Sequence, residues 1–365
     1  MSDTRYKNKV LIACGGTGGH VFPGVAIAQA FEKISPETEL VFAGTKRGLE
    51  NQVIADSKYR LLKLEALSLK DRKWIGKISA YVFLPITLFK ARQILKTETP
   101  DLVIGVGGYA AGPLCLMAAL MNIPTAIVEP NAIAGLSNRW LGHFVKRIYT
   151  GFSEVGEFFP RQKVLLTGNP VRQEIVELRD KNRFAGDFIN IFCFGGSQGA
   201  KPINEALVDA LPHLVSAKKK LKFMHQVGKK DDLEKIKQAY KTNGFEAQVF
   251  EFSTEIWKFY ANADLVVGRS GATTTAEVAV VGLPAILVPY PYAADDHQRA
   301  NAQNLERCGG IKLIMQDKLN GKTLAEEIIK LGSDKLLMMR SALLKCGKPD
   351  AAERIVQDCL KLMSK

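Results

Sequence analysis

Short runs of apolar residues alternate with longer stretches of helical periodicity along this chain of 365 residues. Runs rich in Val, Ile and Leu are typical of strands buried in a parallel sheet, and the stretches between them predict helices that cover its faces. The pattern therefore predicts an α/β protein. The predicted strands cover residues 10–14, 40–43, 102–106, 125–128, 146–149, 189–194, 221–226, 248–250, 264–268 and 285–289.

The two halves of the chain repeat one order of strand and glycine signals, which predicts two Rossmann-like domains in tandem. We expect their loop-bearing edges to face each other across a cleft. The first domain is placed at residues 1–170 and the second at 171–349, with the polar stretch 179–187 as the linker. The matching segments are LIACGGTGG (11–19) and IFCFGGSQG (191–199), DLVIGVGGYA (101–110) and DLVVGRSGAT (264–273), and NIPTAIVEP (122–130) and GLPAILVPY (282–290).

Residues 10–24, VLIACGGTGGHVFPG, predict a buried strand, a glycine-rich loop and then a helix from about Pro23. Glycines let a ligand approach the backbone, and the amides at a helix N-terminus favour an anionic group. His20 is the side chain of this loop that can take up a proton near neutral pH. It is therefore the candidate general base, and the alternative is a histidine that only closes the turn.

The glycine-rich loop fits neither a dinucleotide site nor a P-loop. A G-x-G-x-x-G pattern on Gly16 needs a glycine where Val21 stands, and the next predicted strand ends in Gly44 instead of an acid. The segment 321–323, Gly-Lys-Thr, lacks the leading glycine of a P-loop because Gln316 occupies that place. The five histidines and six cysteines show no metal-ligand spacing, so no bound metal is expected.

The composition, with 47% hydrophobic and 24% charged residues, is that of a globular protein. A net charge of +13 allows nucleic acid, anionic lipid or an anionic substrate as partner, but basic residues interleaved with aromatics are missing, which disfavours nucleic acid. We expect neither a signal peptide nor a spanning helix, since no apolar segment reaches about 20 residues. Scattered cysteines without a C-x-x-C pair predict reduced thiols in a cytoplasmic protein.

Polar loops follow several predicted strands of the second half. Ser197 lies in a glycine loop that could hold a phosphate. The segment 269–277 combines a helix N-terminus with Glu277, which could accept two ribose hydroxyls or only offset the helix dipole. The cluster 295–301 carries amides and carboxylates suited to a sugar. No D-x-D metal clamp occurs, so helix ends and Arg172 would balance a diphosphate.

The segment 70–92 interrupts the alternation, because it joins six basic residues and one acid to many apolar side chains. It is too short to span a bilayer and is suited to lie on an anionic bilayer surface. A buried helix with a basic rim is the equally weighted alternative.

Nearly the whole chain resembles the MurG-type glycosyltransferases. This resemblance implies the GT-B fold, in which two Rossmann-like domains face each other across a cleft and a C-terminal helix, here 350–365, returns to the first domain. The motifs that carry it are GGTGGHVFPG (15–24), GGYAAGP (107–113), EPNAIAGLSN (129–138), GNPVR (168–172), GGSQGA (195–200), HQVGK (225–229), RSGATTTAE (269–277), GLPAILVPYP (282–291) and DDHQRANA (295–302).

The resemblance implies an inverting hexosyltransferase that moves N-acetylglucosamine from UDP-N-acetylglucosamine to the muramyl 4-hydroxyl of undecaprenyl-diphospho-muramyl-pentapeptide. That reaction converts lipid I to lipid II in peptidoglycan synthesis, which serves cell shape and division. The implied partners are these substrates, an anionic membrane surface and cell-wall synthesis proteins, and the implied location is the cytoplasmic face of the cell membrane. No cofactor or metal is implied. A diacylglycerol glycosyltransferase, a UDP-sugar epimerase and a sugar-nucleotide sensor without turnover remain alternatives.

By the same resemblance His20 is the catalytic base, Glu277 holds the ribose and Gln298 reads the sugar. Ser253 stands where the family often has an aliphatic residue beside the uracil, so the residues that contact the base stay open. The implied donor-binding residues are Thr17, Gly18, Gly19, Asn131, Arg172, Ser197, Ser253, Ala272, Thr273, Thr274, Thr275, Ala276, Glu277 and Gln298, and the implied membrane-contact residues are Lys73, Trp74, Ile75, Lys77, Phe83 and Phe89.

Overall fold

A computed structural model describes most of the chain, and its described residues form two compact units. Unit 1 comprises Met1–Arg172 and Asp350–Lys365, and unit 2 comprises Gln173–Pro349. Each unit contains one parallel sheet with helices on both faces, which confirms the predicted Rossmann-like class. The described residues are 7–45, 48–55, 57–64, 75–181, 183–184, 187–196, 198–216, 220–229 and 231–364, with the backbone alone for 75–84 and 216.

Unit 1 is built on a sheet of seven parallel strands in the order β3-β2-β1-β4-β5-β6-β7. Its strands are β1 (Asn8–Ala13), β2 (Thr38–Gly44), β3 (Arg60–Lys63), β4 (Leu102–Gly105), β5 (Thr125–Glu129), β6 (Arg147–Thr150) and β7 (Val164–Leu166). Its first helices are α1 (Gly18–Ile34), α2 (Glu50–Val53), α3 (Ile75–Glu98), α4 (Ala111–Leu120) and α5 (Leu136–Leu141).

Both faces of the unit 1 sheet are covered because its central strands are apolar on both sides. In β1, Val10 and Ile12 pack in the core that contains α1, whereas Leu11 and Ala13 pack with α3, α4 and α5. This alternation is the two-residue period of a strand. It places the start of α1 at the carboxyl edge of the central strands.

Unit 2 has a sheet of six parallel strands in the order β10-β9-β8-β11-β12-β13. Its strands are β8 (Ile189–Phe194), β9 (Leu221–Gln226), β10 (Glu246–Phe250), β11 (Leu265–Gly268), β12 (Ala285–Leu287) and β13 (Ile311–Leu313). Its helices are α6 (Gln173–Val176), α7 (Lys201–Ser216), α8 (Leu233–Thr242), α9 (Ile256–Asn262), α10 (Ala272–Val281), α11 (His297–Arg307), α12 (Gly321–Lys330) and α13 (Ser333–Cys346).

The helix α14 (Ala351–Met363) follows unit 2 in the sequence but packs in unit 1. Ile355 and Val356 are buried in the same core as α1. Asp358 pairs with Arg147 at 2.7 Å and accepts a hydrogen bond from the hydroxyl of Tyr149 at 3.0 Å, so α14 is tied to β6. The predicted return of the C-terminal helix to the first domain is confirmed.

Several expected boundaries were wrong. The predicted strands omit β3, β7 and β13, which are short edge strands with half-exposed side chains and so carry little apolar signal. Helix α1 begins at Gly18, not near Pro23, and Pro23 lies inside it. The start of the expected linker, at Arg179, lies within unit 2, since Arg179 donates to the carbonyls of Val280 and Leu344.

The expectation that all thiols are reduced was also wrong for one pair. Cys308, which follows α11, and Cys346, the last residue of α13, form a disulfide across 38 residues. The other four cysteines are buried thiols, and burial raises the pKa of each.

Within the described residues no helix is long and apolar enough to cross a membrane.

Candidate active site

His20 lies in the first turn of α1, directly after the glycine loop that follows β1. Thr17 is the N-cap residue, and its carbonyl accepts the backbone N–H of His20 at 3.0 Å. Gly18 and Gly19 are the first two residues of the helix and are partly exposed. The loop therefore presents an imidazole and helix N-terminal amides at the carboxyl edge of the sheet.

The orientation of the His20 ring is set by two backbone segments. Its Nδ1 lies 3.2 Å from the carbonyl oxygen of Gly15, which can only accept, so the Nδ1 atom carries the hydrogen. The lone pair of the neutral ring is then on Nε2. A Cβ atom at Gly107 would lie 2.5 Å from Cδ2 of the ring, so the loop after β4 forms a wall against it. His20 is half-exposed, which does not fit a residue buried only to close a turn.

Glu50, which was not among the residues predicted for the site, is a fully buried carboxylate at the start of α2. Its Oε2 accepts the N–H of Gly16 at 2.9 Å, and its Oε1 accepts both the N–H and the hydroxyl of Thr45 at 2.7 Å. A Cβ at Gly48 would meet the carboxylate oxygen at 1.8 Å. The signal that could have found it is an acid two residues after a glycine, behind the strand next to β1.

A second buried carboxylate shapes the loop after β5. Glu129 is 2% exposed and accepts hydrogen bonds from the backbone and side-chain nitrogens of Asn131, from the backbone of Gly135 and from the side chain of Asn138. Burial raises the pKa of Glu129 despite these bonds. The arrangement holds the predicted donor-contact residue Asn131 in a fixed loop in unit 1.

Arg172 ends the first segment of unit 1, Met1–Arg172, and is buried against α1. Its guanidinium lies 3.9 Å from the ring centroid of Phe22, which is a cation–π distance. A Cβ at Gly18 would meet the ring of Phe22 at 2.9 Å, so the ring is packed between Gly18 and Arg172. The structure thus brings Arg172 to the same helix that carries His20.

In unit 2 the predicted nucleotide segment forms the start of α10, after the N-cap residue Gly271. Thr273, Thr274 and Ala276 are partly exposed, and Ala272 is buried. The hydroxyl of Thr275 donates to carbonyls of its own helix turn, at Gly271 and Ala272. The N-terminal amides of α10 are suited to an anionic group.

Glu277 lies at the sixth residue of α10 and is 4% exposed. Its Oε2 accepts a hydrogen bond from the hydroxyl of Tyr260 at 3.0 Å. Tyr260 stacks edge-on against Phe192 and Phe194 of β8. The carboxylate is therefore oriented by a ring that the core holds.

Glutamine side chains join the remaining polar loops of unit 2. The side chain of Gln226, which the sequence analysis did not assign, donates to the carbonyl of Gly196 at 3.2 Å and accepts the N–H of Ser253 at 3.1 Å. Gln298 accepts the N–H of Tyr290 at 3.0 Å, and its carbonyl accepts the hydroxyl of Ser270 at 2.8 Å. The Gln226 bonds thus join the loops after β8 and β10, and the Gln298 bonds join the start of α11 to the loops after β11 and β12.

Some of the predicted residues lie outside the described part of the chain. Ser197, Lys73 and Trp74 fall outside it entirely. Ile75, Lys77 and Phe83 belong to α3, but only their backbone is described. Phe89 is 58% exposed on the described part of that helix. Among the described residues, no three His, Cys, Asp or Glu side chains are grouped so that they could hold a metal ion.

Comparison with known families matches both halves of the chain. Residues 10–150 match the glycosyltransferase family 28 N-terminal domain, and residues 190–355 match the glycosyltransferase family 28 C-terminal domain.

Curated relatives and a solved structure agree with this match. The UDP-N-acetylglucosamine–N-acetylmuramyl-(pentapeptide) pyrophosphoryl-undecaprenol N-acetylglucosamine transferase of Myxococcus xanthus is 41% identical, over 97% of this chain and 93% of the relative. The protein of the same name from Citrifermentans bemidjiense is 44% identical, over 88% of this chain and 90% of the relative. The crystal structure of Acinetobacter baumannii MurG superposes with a TM-score of 0.76 at 30% identity, over 97% of this chain and 99% of that one.

Proposed function

The chain belongs to glycosyltransferase family 28 and, within it, to the MurG-type N-acetylglucosamine transferases, and we propose that His20 is its catalytic base. The enzyme transfers N-acetylglucosamine from UDP-N-acetylglucosamine to the lipid-linked muramyl-pentapeptide, which forms lipid II. The observation that supports the base is the Nδ1 contact of His20 with the Gly15 carbonyl, which leaves the lone pair on Nε2.

In the proposed reaction the muramyl 4-hydroxyl attacks the anomeric carbon of the donor sugar with inversion. A bond forms between that oxygen and the anomeric carbon, and the bond from the anomeric carbon to the diphosphate oxygen breaks. The electron pair leaves with UDP, and the hydroxyl proton passes to Nε2 of His20. No covalent intermediate on the protein is needed for this single displacement.

The donor is held by unit 2 in this proposal. The first-turn amides of α10, from Ala272 to Thr274, face the nucleotide, and the Glu277 carboxylate, which Tyr260 orients, accepts the ribose hydroxyls. The Gln226 bridge supports backbone contacts at Ser253, and Gln298 reads the sugar. Arg172 contributes positive charge toward the diphosphate.

The test compares two variants, one of which should lose turnover and the other donor binding. His20→Ala should lower kcat by roughly 10²–10⁴-fold and leave the Kd for UDP-N-acetylglucosamine nearly unchanged, because a general base acts in the transition state. Glu277→Ala should mainly raise the Kd, since it removes a ground-state contact. Steady-state kinetics with lipid I and calorimetric titration of the donor measure the two effects. Full turnover in His20→Ala would require another base.

We also propose that unit 1 binds the surface of an anionic membrane. Ala91 and Leu95 anchor α3 on the sheet face that α5 also covers, and Phe89 is exposed beside them. On α5, Trp140 is 54% exposed and packs at 4.9 Å from Phe144. Exposed rings with neighbouring basic side chains are suited to the interface of a bilayer, where each Lys or Arg contributes about 1 kcal/mol.

Vesicle sedimentation tests this membrane surface. Serine at Trp74, Phe83 and Phe89 together should lower binding to vesicles that contain anionic lipid. The control is Tyr292→Ser, because Tyr292 is 81% exposed but belongs to unit 2. Equal binding of the triple variant and the wild type would refute the assignment.

A further inference from the structure

We propose that Glu50 is a positioning residue that acts on His20 through the peptide group between Gly15 and Gly16. The N–H of that peptide group, on Gly16, donates to the Glu50 carboxylate at 2.9 Å. The C=O of the same peptide group, on Gly15, accepts from Nδ1 of His20 at 3.2 Å. Carboxylate, peptide and imidazole form one chain of two hydrogen bonds. The inference rests on the proposed role of His20 as base.

The physical effect of this chain is polarisation of the peptide group. A carboxylate that accepts the N–H draws positive charge toward itself and leaves more negative charge on the peptide oxygen. That oxygen then accepts the Nδ1 hydrogen of His20 more strongly. The interaction strengthens again when Nε2 takes up a proton, because the donor is then a cation. Glu50 therefore fixes the tautomer of His20 and raises its basicity without touching the ring.

The acid at this position, Glu50, is fully buried. Glu50 is 0% exposed, and a buried carboxylate is costly unless hydrogen bonds offset its desolvation. Thr45 supplies two of the donors and Gly16 the third. Gly44 and Gly48 give the carboxylate its space, since a Cβ at either would lie within 2.6 Å of the Glu50 side chain. The donors of Gly16 and Thr45 and the space at Gly44 and Gly48 together accommodate the Glu50 carboxylate.

Other ionisable groups on the segments around the loop do not replace Glu50 in this role. Cys14, at the end of β1, stays a neutral thiol, because burial and, to a smaller extent, the charge of Glu50 raise its pKa. Tyr109 lies in the loop after β4, and Arg172 is cationic over the ring of Phe22. Of the side chains in the described structure, Glu50 is the anion that bonds to the Gly15–Gly16 peptide group.

The test is the pH profile of the full-length enzyme. In Glu50→Gln the imidazolium of His20 loses the charge that stabilises it, so the acidic limb of the pH profile of kcat should move to lower pH by about 0.5–1 unit. The kcat on the plateau of that profile should fall roughly 10-fold. Donor KM should stay within about twofold. The matched control is Glu98→Gln, because Glu98 is a buried acid of unit 1 that pairs with Arg60 and with Lys9. Lys9 lies near the amino end of β1, whereas His20 follows its carboxyl end. That variant should lose stability and keep the wild-type limb.

A second variant, Thr45→Val, tests the proposal even if Glu50→Gln does not fold. Thr45→Val removes one hydroxyl donor from the carboxylate and leaves the Gly16 bond, so the limb should move in the opposite direction, to higher pH. NMR of ¹⁵N-labelled imidazole should show the Nδ1–H tautomer of His20 in the wild type.

Three results separate the ideas. If the acidic limb of the pH profile of kcat lay at its wild-type position in both Glu50→Gln and Thr45→Val, the role of Glu50 would be overturned, even if His20→Ala were inactive. The Nε2–H tautomer at His20 in the wild type would also overturn it. Full turnover in His20→Ala would instead remove the proposed base, which is a failure of the function and not of the hydrogen-bond chain.

Discussion

Two histidines at the carboxyl side of the two sheets have opposite environments. His20 follows β1 in unit 1, is half-exposed and contacts a backbone carbonyl through Nδ1. His225 lies within β9 in unit 2, is 0% exposed and has both nitrogens bonded, Nδ1 to the Tyr240 hydroxyl and Nε2 to Oδ1 of Asn204, each at 3.1 Å. Burial lowers the pKa of His225 to about 3.

The hydrogen-bond partners and the burial of each histidine determine its tautomer, and therefore which ring nitrogen carries the lone pair. Oδ1 of Asn204 can only accept, so His225 carries its hydrogen on Nε2 and accepts from Tyr240 on Nδ1. His20 has the other tautomer, with hydrogen on Nδ1. His225 is held neutral in the core as a structural group, whereas the Nδ1 contact of His20 with the Gly15 carbonyl leaves the lone pair of its neutral ring on Nε2.

The largest expected effect that tests this contrast is the loss of stability in His225→Leu. The change leaves the Tyr240 hydroxyl and the Asn204 amide buried without their partner, which should lower the free energy of unfolding by about 2–5 kcal/mol. Turnover of the folded enzyme should change less than twofold. Urea denaturation and initial rates measure the two quantities. A loss of kcat at unchanged stability would mean that His225 is not merely structural.

A smaller effect is expected from Gly107→Ala, which perturbs His20 without replacing it. Gly107 has φ of +115°, and its Cβ would press on the imidazole, so the ring must shift. A misplaced base should lower kcat roughly 10–100-fold. The matched control is Gly112→Ala in α4, where a Cβ meets nothing within 4 Å, and which should leave kcat unchanged. Equal rates for both variants would show that the position of His20 is not critical.

Per unit of pH, the titration of His225 has the smallest of these effects on stability. Below pH 6.5 the unfolded chain protonates His225, but the folded protein does not until about pH 3, so this residue lowers stability as the pH falls through that window. Its contribution is up to about 1.4 kcal/mol per pH unit. The stability gap between wild type and His225→Leu should therefore narrow as the pH is lowered from 6.5. A constant gap down to pH 4 would contradict the lowered pKa.

The central strands were predictable because they are continuous apolar runs buried on both faces. The edge strands β3, β7 and β13 were not, since half-exposed strands of three or four residues lack that pattern. The disulfide of Cys308 and Cys346 was not predictable either. Its cysteines are 38 residues apart, and the packing of α11 and α13 on α10 brings them together.

For the candidate site, the glycine loops and their helix starts could be read from the sequence. His20 and Glu277 stand out there as ionisable groups among small residues. Glu50 has only a weak sequence signal, an acid two residues after a glycine, because its role depends on a contact across 34 residues with the backbone of Gly16. A hydrogen bond to a peptide group leaves no side-chain pattern in the partner segment.

The return of α14 to unit 1 has a consequence for biosynthesis. Ile355, Val356 and Cys359 complete the core around α1, so the outer side of α1 stays uncovered while residues 173–349 are being translated. Unit 2 is continuous in sequence and can fold on the ribosome as soon as it emerges. The unit that is translated first is thus the one that matures last, and a nascent chain stalled before residue 351 would expose an apolar groove to chaperones.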